Sequence, residues 1–148
     1  MKEIKIRNPF IEGAIPSGFI AESIQKHGNK TEIGGHSIFL GQVRADQKDG
    51  KEVKAIEFTT YQEMAMQKLA VIREEIFAKY DLVCMHVYHS TGIVWKGEIC
   101  LFVFTSSKHR APAIEACSEM VERLKMELPI WGKEMYNDDT YQWKENKH

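Results

Sequence analysis

The sequence predicts an α+β fold, with helices packed on a mainly antiparallel sheet, and three observations predict it. Two long stretches, one after Thr60 and one after Arg110, repeat apolar residues at helical spacing. Between and around them lie short β-branched or alternating runs bounded by turn residues. One run, Ile99-Cys100-Leu101-Phe102-Val103-Phe104, has no polar alternation, which suits a strand in the middle of a sheet covered on both faces. The elements read in the order βαββαβββ, the pattern of an α+β sandwich. The chain has 148 residues, and 43% of them are hydrophobic. That is enough apolar material for a real core and too much for a disordered chain. No repeat, low-complexity stretch or linker divides it, so residues 1–148 are expected to form a single domain with a loose tail at 144–148.

Taken in order, Ile4 and Ile6 alternate with charged residues as a short first strand. Ser17 to His27 reads as a helix, with Phe19, Ile20, Ile24 and His27 at helical spacing and Gly28 placed to cap its end. His36 to Val43 is a strand. The polar segment Ala45 to Lys51 is a turn, and Val53 to Thr60 returns as the second arm of a hairpin. Thr60-Tyr61-Gln62-Glu63 fits a capping box, behind which Ala65, Leu69, Ile72 and Ile76 form one apolar face. Leu82 to His89 and Glu98 to Thr105 are strands joined through Gly92 to Gly97. In the second long helix Pro112 lies in the first turn, where a missing N–H costs nothing. Ile114, Cys117, Val121, Leu124 and Leu128 make its stripe, and Pro129 ends it before a last strand, Pro129 to Tyr136.

Lys and Arg (20) nearly cancel Asp and Glu (21), leaving a net charge of −1. No bulk positive field exists to hold a polyanion, which argues against a general nucleic-acid binder. No apolar run approaches the ~18 residues needed to cross a bilayer, and Met1-Lys2-Glu3-Ile4-Lys5 opens without a signal-peptide stretch. Cys84, Cys100 and Cys117 are odd in number and far apart, and read as free thiols in a reducing compartment. A cytoplasmic location is therefore expected. His36, His86, His89 and the cysteines show no metal-ligand spacing and read as structural, as do Tyr61, Met64 and Met66 through helix packing.

The strongest chemical signal is Thr105-Ser106-Ser107-Lys108-His109-Arg110, at the entry to the second long helix. A helix N-terminus offers unpaired N–H groups and partial positive charge, so hydroxyls and cations there favour an anion. The plainer reading is that Ser106 or Ser107 caps the helix and the cations are solvated. Lys125 projects about 20° from Ile114 and about 40° from Val121 on the helix wheel. At that margin it either snorkels along the core or presents its ammonium in a cleft. Arg44, at a strand end behind Gly41, suits a phosphate or carboxylate fork, and is equally an ordinary surface arginine. Trp131 and Lys133 share a strand face by the period of two, and Trp131 reads as core. No nucleophilic Ser or Cys is paired with a base. The set fits a transferase or lyase acting on a phosphorylated small molecule, and equally a regulatory anion-binding domain.

Four fragments in register carry a resemblance: Phe39-Leu40-Gly41-Gln42-Val43-Arg44, Tyr61-Gln62-Glu63-Met64-Ala65, Ser107-Lys108-His109-Arg110, and Leu124-Lys125-Met126-Glu127-Leu128-Pro129-Ile130-Trp131. Over about His36 to Trp143 the chain resembles the large, catalytic subunit of molybdopterin synthase, the MoaE family. The resemblance implies an α/β hammerhead fold and a homodimer at the centre of a heterotetramer. It implies a small ubiquitin-like sulfur-carrier subunit whose C-terminal Gly-Gly carries a thiocarboxylate, threaded into a pocket of the large subunit. Sulfur then passes to cyclic pyranopterin monophosphate, making molybdopterin with no metal or organic cofactor in the step. By the same resemblance Arg44, His109 and Arg110 hold substrate phosphate, with Phe39 lining the pocket and the His-Arg pair coming from the neighbouring protomer. Lys125 is the catalytic amine beside the thiocarboxylate. The family's second catalytic lysine falls at Gly132 here. Either a bulge at Gly132 turns Lys133 into the pocket as the second catalytic lysine, which is the expectation taken forward, or the protein works with one lysine fewer. The alternative is a non-catalytic anion- or partner-binding module of the same fold.

Overall fold

The computed structural model describes residues 8–144; the strand expected at Ile4 and Ile6 and residues 145–148 of the expected tail lie outside them. The chain runs β1 (Phe10–Glu12), α1 (Ser17–Lys26), a 3-10 turn (His27–Asn29), β2 (Gly35–Gln42), β3 (Gln47–Lys48), β4 (Lys51–Thr60) and α2 (Gln62–Lys79). It continues through β5 (Cys84–Trp95), β6 (Ile99–Ser107), α3 (Arg110–Glu127), β7 (Ile130–Tyr136) and β8 (Tyr141–Trp143). The eight strands form one sheet in the order β2-β6-β5-β4-β7-β8, with β1 on β5 and β3 on β4. Only the β1–β5 pair is parallel, so the fold is α+β on a mainly antiparallel sheet, as the sequence predicts. No helix among the described residues is long and apolar enough to cross a membrane.

Strand β6 explains its own composition. Leu101 and Val103 point into the core that α2 and α3 close with Leu69, Ile72, Ile76, Ala116, Met120 and Leu124. Phe102 and Phe104 point to the other face, where they stack 5.9 Å apart beneath Phe19 and Ile20 of α1. Burial on both faces removes any need for a polar alternation. Helix α2 buries Ala65, Leu69, Ile72 and Ile76, the four residues its spacing predicts.

Several expectations need correction. Strand β2 pairs with β6, and the tight hairpin is β3–β4 across Asp49-Gly50, both at positive φ. No capping box forms: Tyr61 is the N-cap of α2, and the Thr60 hydroxyl donates to the Pro129 carbonyl instead. Strand β5 runs through Gly92 to Trp95, so the connection to β6 is only a tight turn at Gly97. In α3 the buried face is Ala113, Ala116, Cys117, Met120 and Leu124, and Ile114 is exposed. In α1 Ile24 is exposed, and the helix closes at His27 rather than at Gly28. Tyr61, Met64 and Trp131, read as packed, are also exposed. Strand β7 is not the last, because β8 folds back on it.

Candidate functional site

At the entry to α3 the serines are occupied by structure. The Ser107 hydroxyl donates to the His109 carbonyl and accepts the Ala113 N–H, while the Ser106 hydroxyl bonds Nδ1 of His36. Ser107 thus takes up one free N–H of the first turn, while the N-cap itself is His109 without a side-chain cap bond, and His109 and Arg110 are exposed there. Backbone contact holds this loop in place. The Gly34 N–H donates to the Ser107 carbonyl at 3.0 Å, and a Cβ at Gly34 would sit 2.1 Å from the Lys108 carbonyl oxygen.

Lys125 stands at the opposite end of the same helix, separated from Arg110 by roughly 22 Å of helix axis. It is exposed near the end of α3. Its charge reaches two half-buried groups, the His89 imidazole and the Cys100 thiol. His89 donates from Nδ1 to the Ser90 carbonyl at 2.7 Å and meets the Phe58 ring edge-on at 5.1 Å. Burial, reinforced by the Lys125 charge, holds His89 below the usual imidazole value. Burial pushes the Cys100 thiol up, against the opposing pull of the Lys144 and Lys125 charges, and its Sγ donates to the Gly41 carbonyl. Phe39 lies on the same side, 3.6 Å from where a Cβ of Gly41 would be. Arg44 follows the end of β2 there, exposed and paired with Asp46 at 3.2 Å. Within one chain Lys125 lies near His89 and Cys100 at one end of α3, His109 and Arg110 lie at the other, and Phe39 sits beside Cys117 at the middle of the helix.

The bulge expected at Gly132 is absent. The β4–β7 register runs unbroken from Ala55↔Met135 to Thr60↔Ile130, and its one shift lies at Val53/Ala55. Lys133 therefore stays on the opposite face from Gly132. There it pairs with Glu57 at 3.0 Å and lies 4.7 Å over the Tyr141 ring. Gly132 fits because its neighbours are close: a Cβ would meet Cγ2 of Ile56 at 3.0 Å and the Phe58 ring at 3.5 Å. Beside it is a residue that the sequence reading missed. The Lys144 N–H donates to the Gly132 carbonyl at 2.7 Å, extending the β7–β8 ladder one pair beyond Lys133↔Trp143. Residues opposite one another on antiparallel strands share a face, so Lys144 leaves the sheet on the side of Gly132, Phe58 and Cys100. The aromatic alternation of Tyr141-Gln142-Trp143 is the signal that would have found this strand. His89 and Cys100 carry no such signal, since only the fold brings them to Lys125.

Because His89 resists protonation in the folded chain, the unfolded state binds its proton first as pH falls through the ordinary histidine range. Stability is therefore expected to decline below about pH 6.5. Urea midpoints at pH 7.5 and 5.5 measure the decline, and His89→Gln should make it shallower.

Comparison with known proteins agrees with this fold. A family model described as MoaE protein matches residues 17–127. The molybdopterin synthase catalytic subunit of Drosophila willistoni is 41% identical over 116 residues, covering 77% of this chain and 31% of that protein. The chain thus spans about a third of the length of that relative. The molybdopterin synthase catalytic subunit of Pyrococcus abyssi is 31% identical over 133 residues, covering 90% of this chain and 89% of that one. The crystal structure of molybdopterin synthase from Staphylococcus aureus superposes with a TM-score of 0.82 at 28% identity, over 97% of this chain and 100% of that chain. With the family model spanning most of its length and a relative of matching size, the chain belongs to the MoaE family.

Proposed function

We propose that the chain is the catalytic subunit of a molybdopterin synthase. In this reading it transfers sulfur from the thiocarboxylated Gly-Gly end of a small ubiquitin-like subunit to cyclic pyranopterin monophosphate. The single observation that carries the reading is the separation along α3. Lys125 and the His109-Arg110 pair lie too far apart for one small substrate, so a site using both draws them from two copies of the chain. The homodimer of the reading supplies that second copy, and Arg44 and Phe39 join Lys125 from the first. The guanidinium groups and His109 hold the phosphate, and Lys125 stabilises charge developing at the thiocarboxylate carbon or moves a proton there. Lys144 supplies the second ammonium from the face where Gly132 has no side chain. The exposed aromatic face of β4, β7 and β8, with Trp131, Tyr141 and Trp143, supports protein contacts of the kind the heterotetramer needs. Free thiols at Cys84, Cys100 and Cys117 agree with a cytoplasmic setting.

Reconstitution tests the reading. The purified chain, a thiocarboxylated small subunit and the cyclic pyranopterin should yield dithiolene product. Binding of the small subunit without product would favour the non-catalytic module that the Gly132 departure keeps in view. Within that assay Lys144→Ala is expected to lower turnover about tenfold, the scale of one lost charge-assisted contact. Lys133→Ala, which breaks a partly exposed ion pair, should change turnover by less than about twofold. The reverse ranking would remove Lys144 from the site and return Lys133 to it.

A further inference from the structure

Away from this site, on the α1 face of the sheet, His27, Cys84 and His86 converge. Their ligand atoms (one imidazole nitrogen from each histidine and the Cys84 sulfur) all lie within 4.8 Å of one another. Cys84 and His86 are alternate residues of β5 and so project from the same face. His27 comes from the end of α1, above Phe104 at 4.7 Å, and brings its Nε2 to 3.0 Å from Nε2 of His86. Its other ring nitrogen, Nδ1, donates to the Ser23 carbonyl at 2.7 Å. That bond fixes the tautomer, so Nε2 accepts the hydrogen bond from Nε2–H of His86. Once His86 carries its proton on Nδ1 instead, both Nε2 lone pairs face the space beside Cys84, with His27 oriented by an outer partner as metal-binding imidazoles are. The cluster includes no carboxylate among the described residues. Two imidazoles and a thiol are the donor set of a borderline-soft cation, not of Mg²⁺ or Ca²⁺.

We infer that His27, Cys84 and His86 form a three-ligand Zn²⁺ site that clamps the end of α1 to β5. Tetrahedral zinc at the usual bond lengths holds such donors roughly 3.3–3.6 Å apart. Small side-chain movements from the observed triangle therefore suffice, and water fills the fourth position. The sequence shows no ligand spacing because one ligand is 57 residues from the next and only strand β5 and the closing turn of α1 bring them together. A clamp has a physical use here. Helix α1 buries none of its residues fully and packs on the sheet through the partly buried Phe19 and Ile20. Binding releases the Cys84 thiol proton to solvent, so uptake strengthens with pH.

Titration of the reduced, metal-stripped full chain, free of any affinity tag, with Zn²⁺ alone tests the site. One ion per chain is expected, with a rise in Tm on binding, and His27→Gln or His86→Gln should weaken binding at least about tenfold. Co²⁺ in place of Zn²⁺ should give a sulfur-to-metal charge-transfer band that Cys84→Ser abolishes and Cys100→Ser retains. His27→Gln lies at a half-exposed helix end and keeps the test open should Cys84→Ser fold poorly. No stoichiometric uptake, or uptake and a thiolate band that these replacements leave in place, would overturn the site. The outcome is independent of sulfur transfer.

Discussion

Lys125→Ala is expected, on the proposed function, to lower sulfur transfer about a hundredfold or more, the scale of losing a group that stabilises charge or moves a proton at a reacting carbon. Lys125 is exposed on the flank of α3, so its removal leaves the core of Leu124, Met120 and Cys117 intact and stability nearly unchanged. An unchanged Tm beside a lost rate separates chemistry from unfolding. Arg110→Ala should mainly weaken substrate binding, and added salt should weaken it in the unsubstituted protein as well. Mixing the two variants gives a sharper result. If each site takes Lys125 from one protomer and Arg110 from its partner, a mixed dimer holds one intact site and one doubly damaged site. Random reassociation then restores about a quarter of full activity. No recovery in a mixture shown to exchange subunits would place the cations of the two α3 ends in separate sites and sink the shared pocket.

Gly34→Ala is expected to destabilise the fold by about 3 kcal/mol, at the upper end for overpacking. The new methyl would stand 2.1 Å from the Lys108 carbonyl oxygen, a backbone atom that no rotamer change can move. Relief requires the loop before α3 to shift, which loses the Gly34–Ser107 hydrogen bond and displaces His109 and Arg110. Urea denaturation measures the stability, and substrate affinity at a temperature where the variant remains folded measures the displacement. A variant as stable as the parent would show that this loop yields freely and that the close approach has no structural consequence.

Local patterns made much of the fold readable. The buried face of α2 follows from spacing alone, because a helix that packs on one side must repeat its apolar residues near every third or fourth position. The apolar run of β6 announced a strand covered on both faces. Strand partners were another matter. Pairing β2 with β6 instead of β4 depends on long-range registry, and nothing within either segment states it. Residue 114 misled for a related reason: Ile114 fits the period of α3, yet the small Ala113 and Ala116 are the residues buried there.

The sequence by itself determined the class of fold, the faces of most elements, the family resemblance, and the candidate cations Arg44, His109, Arg110 and Lys125, since each follows from residue type and nearby spacing. Only the tertiary structure decided which distant residues lie side by side. It kept the β4–β7 register unbroken, so that Lys133 stays on the face opposite Gly132. It also set Lys144 across from Gly132 and drew His27, Cys84 and His86 together. The physical reason is that helix and strand periods are local properties of the chain. Proximity between residues tens of positions apart is settled by sheet order and register, which the packing of the whole core selects.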